Sequence, residues 1–297
     1  MSGVEVVDAG GDVVQLVDVD GYRVCTFDRE AEKEAEIVRE IKNFNCRHDD
    51  VFIIAPPKSG THWVWEIISM LYEGRAETLP KTKSHQMLEH QTADILEGIK
   101  SPRILDSHLD IQHLPKQIFE QRLKIVHVLR NPKDLLVSYY NHVKGVLCYG
   151  YNGKWENFFS LFLNDELDYG SWFQYVREWE NFITENPSHP IHVMFYEDLQ
   201  ENSIGEIKRL ANFLELDPSE ELIHAISEKC KFGNMYKDKM YPDSVRREVY
   251  RGDFTMYRKG TVGDWKNWFT VSQNEVFDQH YKQKMAGSNL QFKYTLS

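Results

Sequence analysis

Lys58, Ser59, Gly60 and Thr61 stand where an apolar run, Val51 to Ala55, gives way to apolar residues at helical spacing, Val64, Ile67, Ile68 and Leu71. Such a run fits a strand buried on both faces, and the spacing beyond it fits a helix. The first N–H groups of a helix have no partner within it, and the helix dipole favours negative charge there. A lysine in a strand-to-helix loop therefore makes an anion site. Taken alone, the loop also reads as a plain strand-to-helix turn, and it does not name the anion. A nucleoside-triphosphate kinase would use a similar loop, but its Walker pattern is missing: Lys58 precedes Gly60, and no glycine opens the loop.

Two further strand candidates, Arg103 to Leu105 and Lys124 to Leu129, lead into chemically useful residues. His108 follows the first and Arg130 the second, at the carboxyl ends where open parallel sheets hold their ligands. The helical pattern after Arg130 turns Ser138 roughly the same way as Lys133 and Asp134. Individually, a satisfied histidine and a helix-start arginine are equally good readings. With Lys58, they converge on one sheet edge. His85 and His90 lack the carboxylate or cysteine partners of a metal site and read as exposed loop histidines, so no metal is expected.

Strands must hold these residues, and helices must cover the strands. Ile191 to Tyr196 and a short Arg23 to Phe27 are further strand candidates, while Arg29 to Asn43, Trp155 to Leu163, Trp172 to Ile183 and Ile204 to Leu214 show helical patterns. The alternation predicts an α/β fold with a mainly parallel central sheet flanked by helices, and 297 residues with 41% hydrophobic content suit one domain over residues 1–297. Met1 to Gly21 reads as a loose or weakly stranded leader, Pro80 to Gly98 as a mobile cover, and Met235 to Arg251 as a long functional loop. The 35 basic against 46 acidic residues argue against a general nucleic-acid or anionic-membrane binder, so an anionic ligand needs a local basic pocket. With no span-length apolar run and no signal-peptide pattern, a cytoplasmic location is expected. The widely spaced Cys25, Cys46, Cys148 and Cys230 form no CxxC and are read as reduced thiols.

Four stretches carry a resemblance: Pro57-Lys58-Ser59-Gly60-Thr61-His62-Trp63, Arg130-Asn131-Pro132-Lys133-Asp134 through Ser138, Tyr196-Glu197-Asp198-Leu199, and Arg258-Lys259-Gly260-Thr261-Val262-Gly263-Asp264-Trp265. In order and spacing they resemble the cytosolic sulfotransferase family, over about Arg23 to Leu290. The resemblance implies a single P-loop-kinase-like α/β domain with a phosphosulfate-binding loop. It also implies transfer of a sulfuryl group from 3′-phosphoadenosine-5′-phosphosulfate (PAPS, leaving the product PAP) to a hydroxyl or amine of a small acceptor, in the phenol, steroid or alcohol class. A non-catalytic or weakly active PAPS- or PAP-binding protein of the same fold and a nucleotide kinase are the rival readings.

Carried over by residue, Lys58, Ser59, Gly60, Thr61, His62 and Trp63 would hold the phosphosulfate. Arg130, Ser138, Arg258, Lys259 and Gly260 would hold the 3′-phosphate. Trp63 and Phe232 would sandwich the adenine, with Tyr196 beside it. His108 would be the general base, and Lys58 would stabilise the leaving oxygen. Where the family has Lys-Thr-His, this chain has Asp106-Ser107-His108, so a usual cation is replaced by a carboxylate that points away, orients His108 or a cationic acceptor, or weakens turnover. Lys266 to Glu275 fits the KxxxTVxxxE pattern of family homodimers, and Ser272 with Glu275 suggests a capping box for the helix entered there.

Overall fold

The strands follow the apolar runs. In the structure, a computed structural model that describes every residue except 1, 28, 81, 240–242 and 297 and the side chains of 243–245, seven strands form two sheets. Gly3–Val7 (β1), Val13–Val19 (β2) and Tyr22–Val24 (β3) make an antiparallel meander. Val51–Ile54 (β4), Ile104–Ser107 (β5), Lys124–Leu129 (β6) and Ile191–Phe195 (β7) make a wholly parallel sheet in the order β5-β4-β6-β7.

Alternation along the parallel strands gives each face its own core. Phe52, Ile54, Leu105, Ile125 and Leu129 join the aromatic helices Trp155–Leu163 and Trp172–Glu185 on one side. Val51, Ile53, Ile104, Val126, Val128 and Met194 join the helices Thr61–Glu73 and Ser203–Phe213 on the other. Burial on both faces explains why these strands read as unbroken apolar runs. His127, inside one of them, is a core residue: its Nδ1 lies 3.0 Å from the Ile54 carbonyl, and its ring stacks on Trp179.

Several expectations need correction. Of the two readings of the first stretch, loose or weakly stranded, the stranded one holds over 2–21. Val14, Leu16, Val17 and Val19 are buried in the first core, and the Asp8 carboxylate pins the β1–β2 turn by accepting from Gly10 N–H at 2.8 Å and from the Tyr151 hydroxyl at 2.7 Å. The Asp and Gly residues that close these tight turns obscured the valine alternation. β5 runs on to Ser107, because Ile53 and Ile54 pair with Asp106 and Ser107, and Tyr196 opens a helix instead of ending β7.

The expected cover is packed into the fold over 82–91. A 3-10 turn, Lys83–Gln86, leads to Met87, which bridges to Asp106, and Met87, Leu88 and Leu96 are buried. The expected loop at 235–251 is two short helices, Phe232–Asp238 and Asp243–Val249, with 240–242 between them outside the described residues. The helix Val271–Lys284 is capped by Thr270, which accepts from Gln273 N–H at 3.1 Å in a capping box, and not by Ser272 with Glu275. Among the described residues, no helix is long and apolar enough to cross a membrane.

Candidate active site

The carboxyl ends of β4, β5 and β6 open on one cavity of about 660 Å³. Of the residues assigned from the sequence to catalysis or to the nucleotide, all border it except Ser59, which is buried behind the loop with its hydroxyl unpartnered among the described residues. Lys58 at φ 69° and Gly60 at φ 106° turn the chain sharply, and the helix Thr61–Glu73 starts with no side-chain cap on its first N–H groups. Gly60 is required twice over. Its φ is left-handed, and a Cβ there would come 2.7 Å from the Tyr196 ring.

Positive charge gathers on one side of the cavity. Burial, reinforced by Lys83, Arg130 and Arg258, pushes the Lys58 ammonium down to about 7. Arg130 donates to the Lys58 carbonyl at 3.1 Å and stacks 4.3 Å over Tyr196, while its buried Nε has no protein partner among the described residues. Arg258 and Lys259 each reach an Asp264 oxygen at 2.6 Å. Burial works against the Asp264 charge, but hydrogen bonds from Lys259, Asn267 and Arg258 hold its carboxyl well below the usual carboxylate range.

The segment carrying these two cations is tied to the Arg130 helix through Asp134, which accepts from the N–H groups of Gly263 and Trp265 at 2.7 and 2.9 Å. Lys133 does not share the cavity with Ser138. It turns outward to Asp278 at 2.5 Å and lies over Trp265. Gly260 faces Phe232 so closely that a Cβ would come 2.2 Å from that ring, and Trp63 meets Tyr196 edge-on at 5.6 Å.

His108 borders the same cavity. Its Nδ1 is 2.8 Å from the Ala55 carbonyl, its backbone N–H donates to the buried Glu89 at 2.7 Å, and its Nε2 is 3.2 Å from Lys83 Nζ. Burial, with Lys83 and Lys58 nearby, holds the imidazole well below its ordinary range, against the pull of the Ala55 carbonyl. His62 is lowered in the same way by burial, Lys83 and Lys58.

Asp106 is buried and ion-paired with Lys83, so it neither points away into solvent nor waits for a cationic acceptor. Lys83 and Glu89 were missed because they lie in the segment read as a cover. The available signal was Asp106 itself, since a carboxylate inside a buried strand calls for a cation. His90 is half-buried against Phe27, unlike the exposed His85.

The far end of the cavity is aromatic and sulfur-lined. Cys25 and Cys148 border it with their sulfurs 3.4 Å apart, and all four cysteines are free. Buried Asp168 accepts from the Tyr149 hydroxyl at 2.7 Å and from the Tyr139 hydroxyl, which fixes one wall. Burial pushes its carboxyl up to about 6 against those two bonds. Among the described residues, no group of three or more His, Cys, Asp or Glu side chains is placed to hold a metal.

Comparison with known proteins gives a consistent picture. The Sulfotransferase domain family matches residues 48–289. Sulfotransferase 1A1 of Mus musculus is 37% identical over 273 residues, covering 87% of this chain and 92% of that protein. Sulfotransferase 1E1 of Bos taurus is 36% identical over 276 residues, covering 88% and 92%. A crystal structure of a mouse sulfotransferase complexed with PAP superposes with a TM-score of 0.74 at 28% identity, covering 92% of this chain and 96% of that one.

Proposed function

The chain belongs to the sulfotransferase family and moves a sulfuryl group from PAPS to a small-molecule acceptor, and we propose that His108 takes the acceptor's proton while Lys58 stabilises the departing oxygen. The carrying observation is that one cavity joins the Lys58 loop, Arg130 with Ser138, Arg258 to Gly260, and His108. The residues suit a 3′-phosphorylated nucleotide. A guanidinium offers planar, charge-assisted donors, Ser138 a neutral one, and the orphaned Nε of Arg130 an unfilled contact. Trp63, Phe232 and Tyr196 supply aromatic surface for the base, and Gly60 and Gly260 leave room beside two of those rings.

In the reaction, the acceptor oxygen bonds to sulfur as the bond from sulfur to the bridging oxygen breaks. The acceptor proton passes to His108 Nε2, and the leaving electron pair stays on the phosphate oxygen. A nearly buried imidazole held low is neutral at physiological pH and so able to accept. Lys58, at the loop, supplies positive charge for the leaving oxygen. Retention of both residues in one cavity favours catalysis over mere nucleotide binding, and the Sulfotransferase domain match disfavours a kinase.

Phenols, steroids and alcohols are the acceptor classes assigned, from the family resemblance and the aromatic wall, and the same resemblance supports a cytoplasmic location. A homodimer through Lys266 to Glu275 is supported by Val271, which is 78% exposed at the start of its helix. Transfer of label from PAPS to a panel of these acceptors tests the assignment. The absence of any labelled product would overturn it.

A further inference from the structure

We propose that Lys83 is the positioning residue of the base: its ammonium, clamped by Asp106, donates to His108 Nε2 and fixes the imidazole as the neutral Nδ1–H tautomer. The inference deepens the reading of His108 as base and rests on it for its catalytic use. The Ala55 carbonyl can only accept, so a neutral ring 2.8 Å away carries its proton on Nδ1. The Nε2 lone pair is then turned toward Lys83 Nζ, 3.2 Å away, and an ammonium has donors only. Both contacts are satisfied by neutral His108. A protonated ring would set an N–H against the ammonium.

Asp106 makes a cation tolerable beside the base. With Lys83 4% exposed and Asp106 fully buried, the two form an ion pair without net charge, where a lone ammonium would be a costly intrusion. The clamp holds Nζ at the nitrogen that must be free of a proton. When an acceptor hydroxyl takes the place of Nζ at Nε2, the base is already in the proton-accepting form. The same short segment holds the other side of the residue, because Glu89 accepts the His108 backbone N–H.

Other groups facing His108 are Lys58 and His62 from the loop and its helix, His142, and Tyr169, whose ring meets the imidazole edge-on at 5.6 Å. Of the charged side chains among the described residues, Lys83 is the one in contact with a ring nitrogen.

Nitrogen spectra of the histidines in the intact, nucleotide-free protein read both tautomer and titration. The parent is expected to show His108 as Nδ1–H and neutral well below pH 6.5. In Lys83→Met it should titrate about one to three units higher, the range for losing a neighbouring like charge. The acid limb of kcat/KM should move with it, with about a tenfold loss for each unit at a fixed pH below the limb. Lys83→Met strands the Asp106 carboxylate, so Lys83→Met/Asp106→Asn, which keeps the net charge, serves as the companion variant and should shift the same way. A parent ring protonated on Nε2, or a His108 titration unchanged in the variants, overturns the proposal. The two readings fail separately: undiminished turnover in His108→Ala overturns the base assignment, whereas the spectra overturn the contact.

Discussion

The two ends of the cavity are built differently. The end assigned to the nucleotide is made by short contiguous stretches at strand ends and in one late loop, rich in cations and backbone N–H groups: the Lys58 loop, Arg130 and the Arg258 to Gly260 segment. The end assigned to the acceptor is assembled from side chains scattered over the chain, with Cys25, Lys83, His108, Cys148 and Tyr169 each from a different segment. A phosphate is a fixed shape with fixed charge, so a compact motif can grip it. An acceptor needs a surface, and a surface is drawn from wherever the fold brings side chains together.

If the ends divide labour in this way, damage to each should read out separately. The largest effect is expected from His108→Ala. Turnover should fall by about 100-fold or more, the usual loss for an acid-base group, while PAP affinity measured by calorimetry stays near the parent value. A matching loss of affinity would break the division.

Arg130→Ala comes next, at the other end. Charge-assisted hydrogen bonds contribute about 1.5–3 kcal/mol, so PAP affinity should drop by roughly 10- to 100-fold. A nucleotide without the 3′-phosphate should lose much less. Equal losses for the two nucleotides would remove Arg130 from the 3′-phosphate site.

A smaller effect is expected at the aromatic wall. Asp168→Asn weakens two hydrogen bonds from Tyr139 and Tyr149, for about 1–3 kcal/mol of stability in urea unfolding and a raised KM for acceptor, with PAP affinity unchanged. Unaltered stability would show that the Asp168 charge does not hold this wall.

Val271→Glu lies away from both ends and should leave turnover intact. Sedimentation should show dimer for the parent and monomer for the variant, and a parent that stays monomeric at tens of micromolar would end the dimer assignment. So short a segment falls below the roughly 1,200 to 2,000 Å² of a standard interface, so the dimer should depend on concentration.

The same contrast governs what could be read beforehand. β4, β6 and the helices Trp155–Leu163 and Trp172–Glu185 were legible because burial on two faces or on one stripe leaves a periodic trace. The Lys58 loop and Arg130 were legible as strand-end chemistry, and the naming of the nucleotide came from family resemblance. Lys83 was illegible, since its partner Asp106 is 23 residues away and only the fold brings them together. β1 and β2 were legible only as weak strand candidates, for another reason. Their polar outward positions and Asp-Gly turns dilute the valines that pack inward.

Residues 82–91 have a consequence for recombination between relatives. Thr82, Ser84, His85, Met87, His90 and Gln91 border the cavity, and Lys83 and Glu89 grip His108 from the same stretch. A chimera that exchanges this stretch to alter acceptor choice would also exchange the support of His108, the base proposed above, so selectivity and rate would change together. A transplant that preserves rate must carry Lys83, Glu89 and Asp106 as one set, although Asp106 lies outside that stretch, on β5.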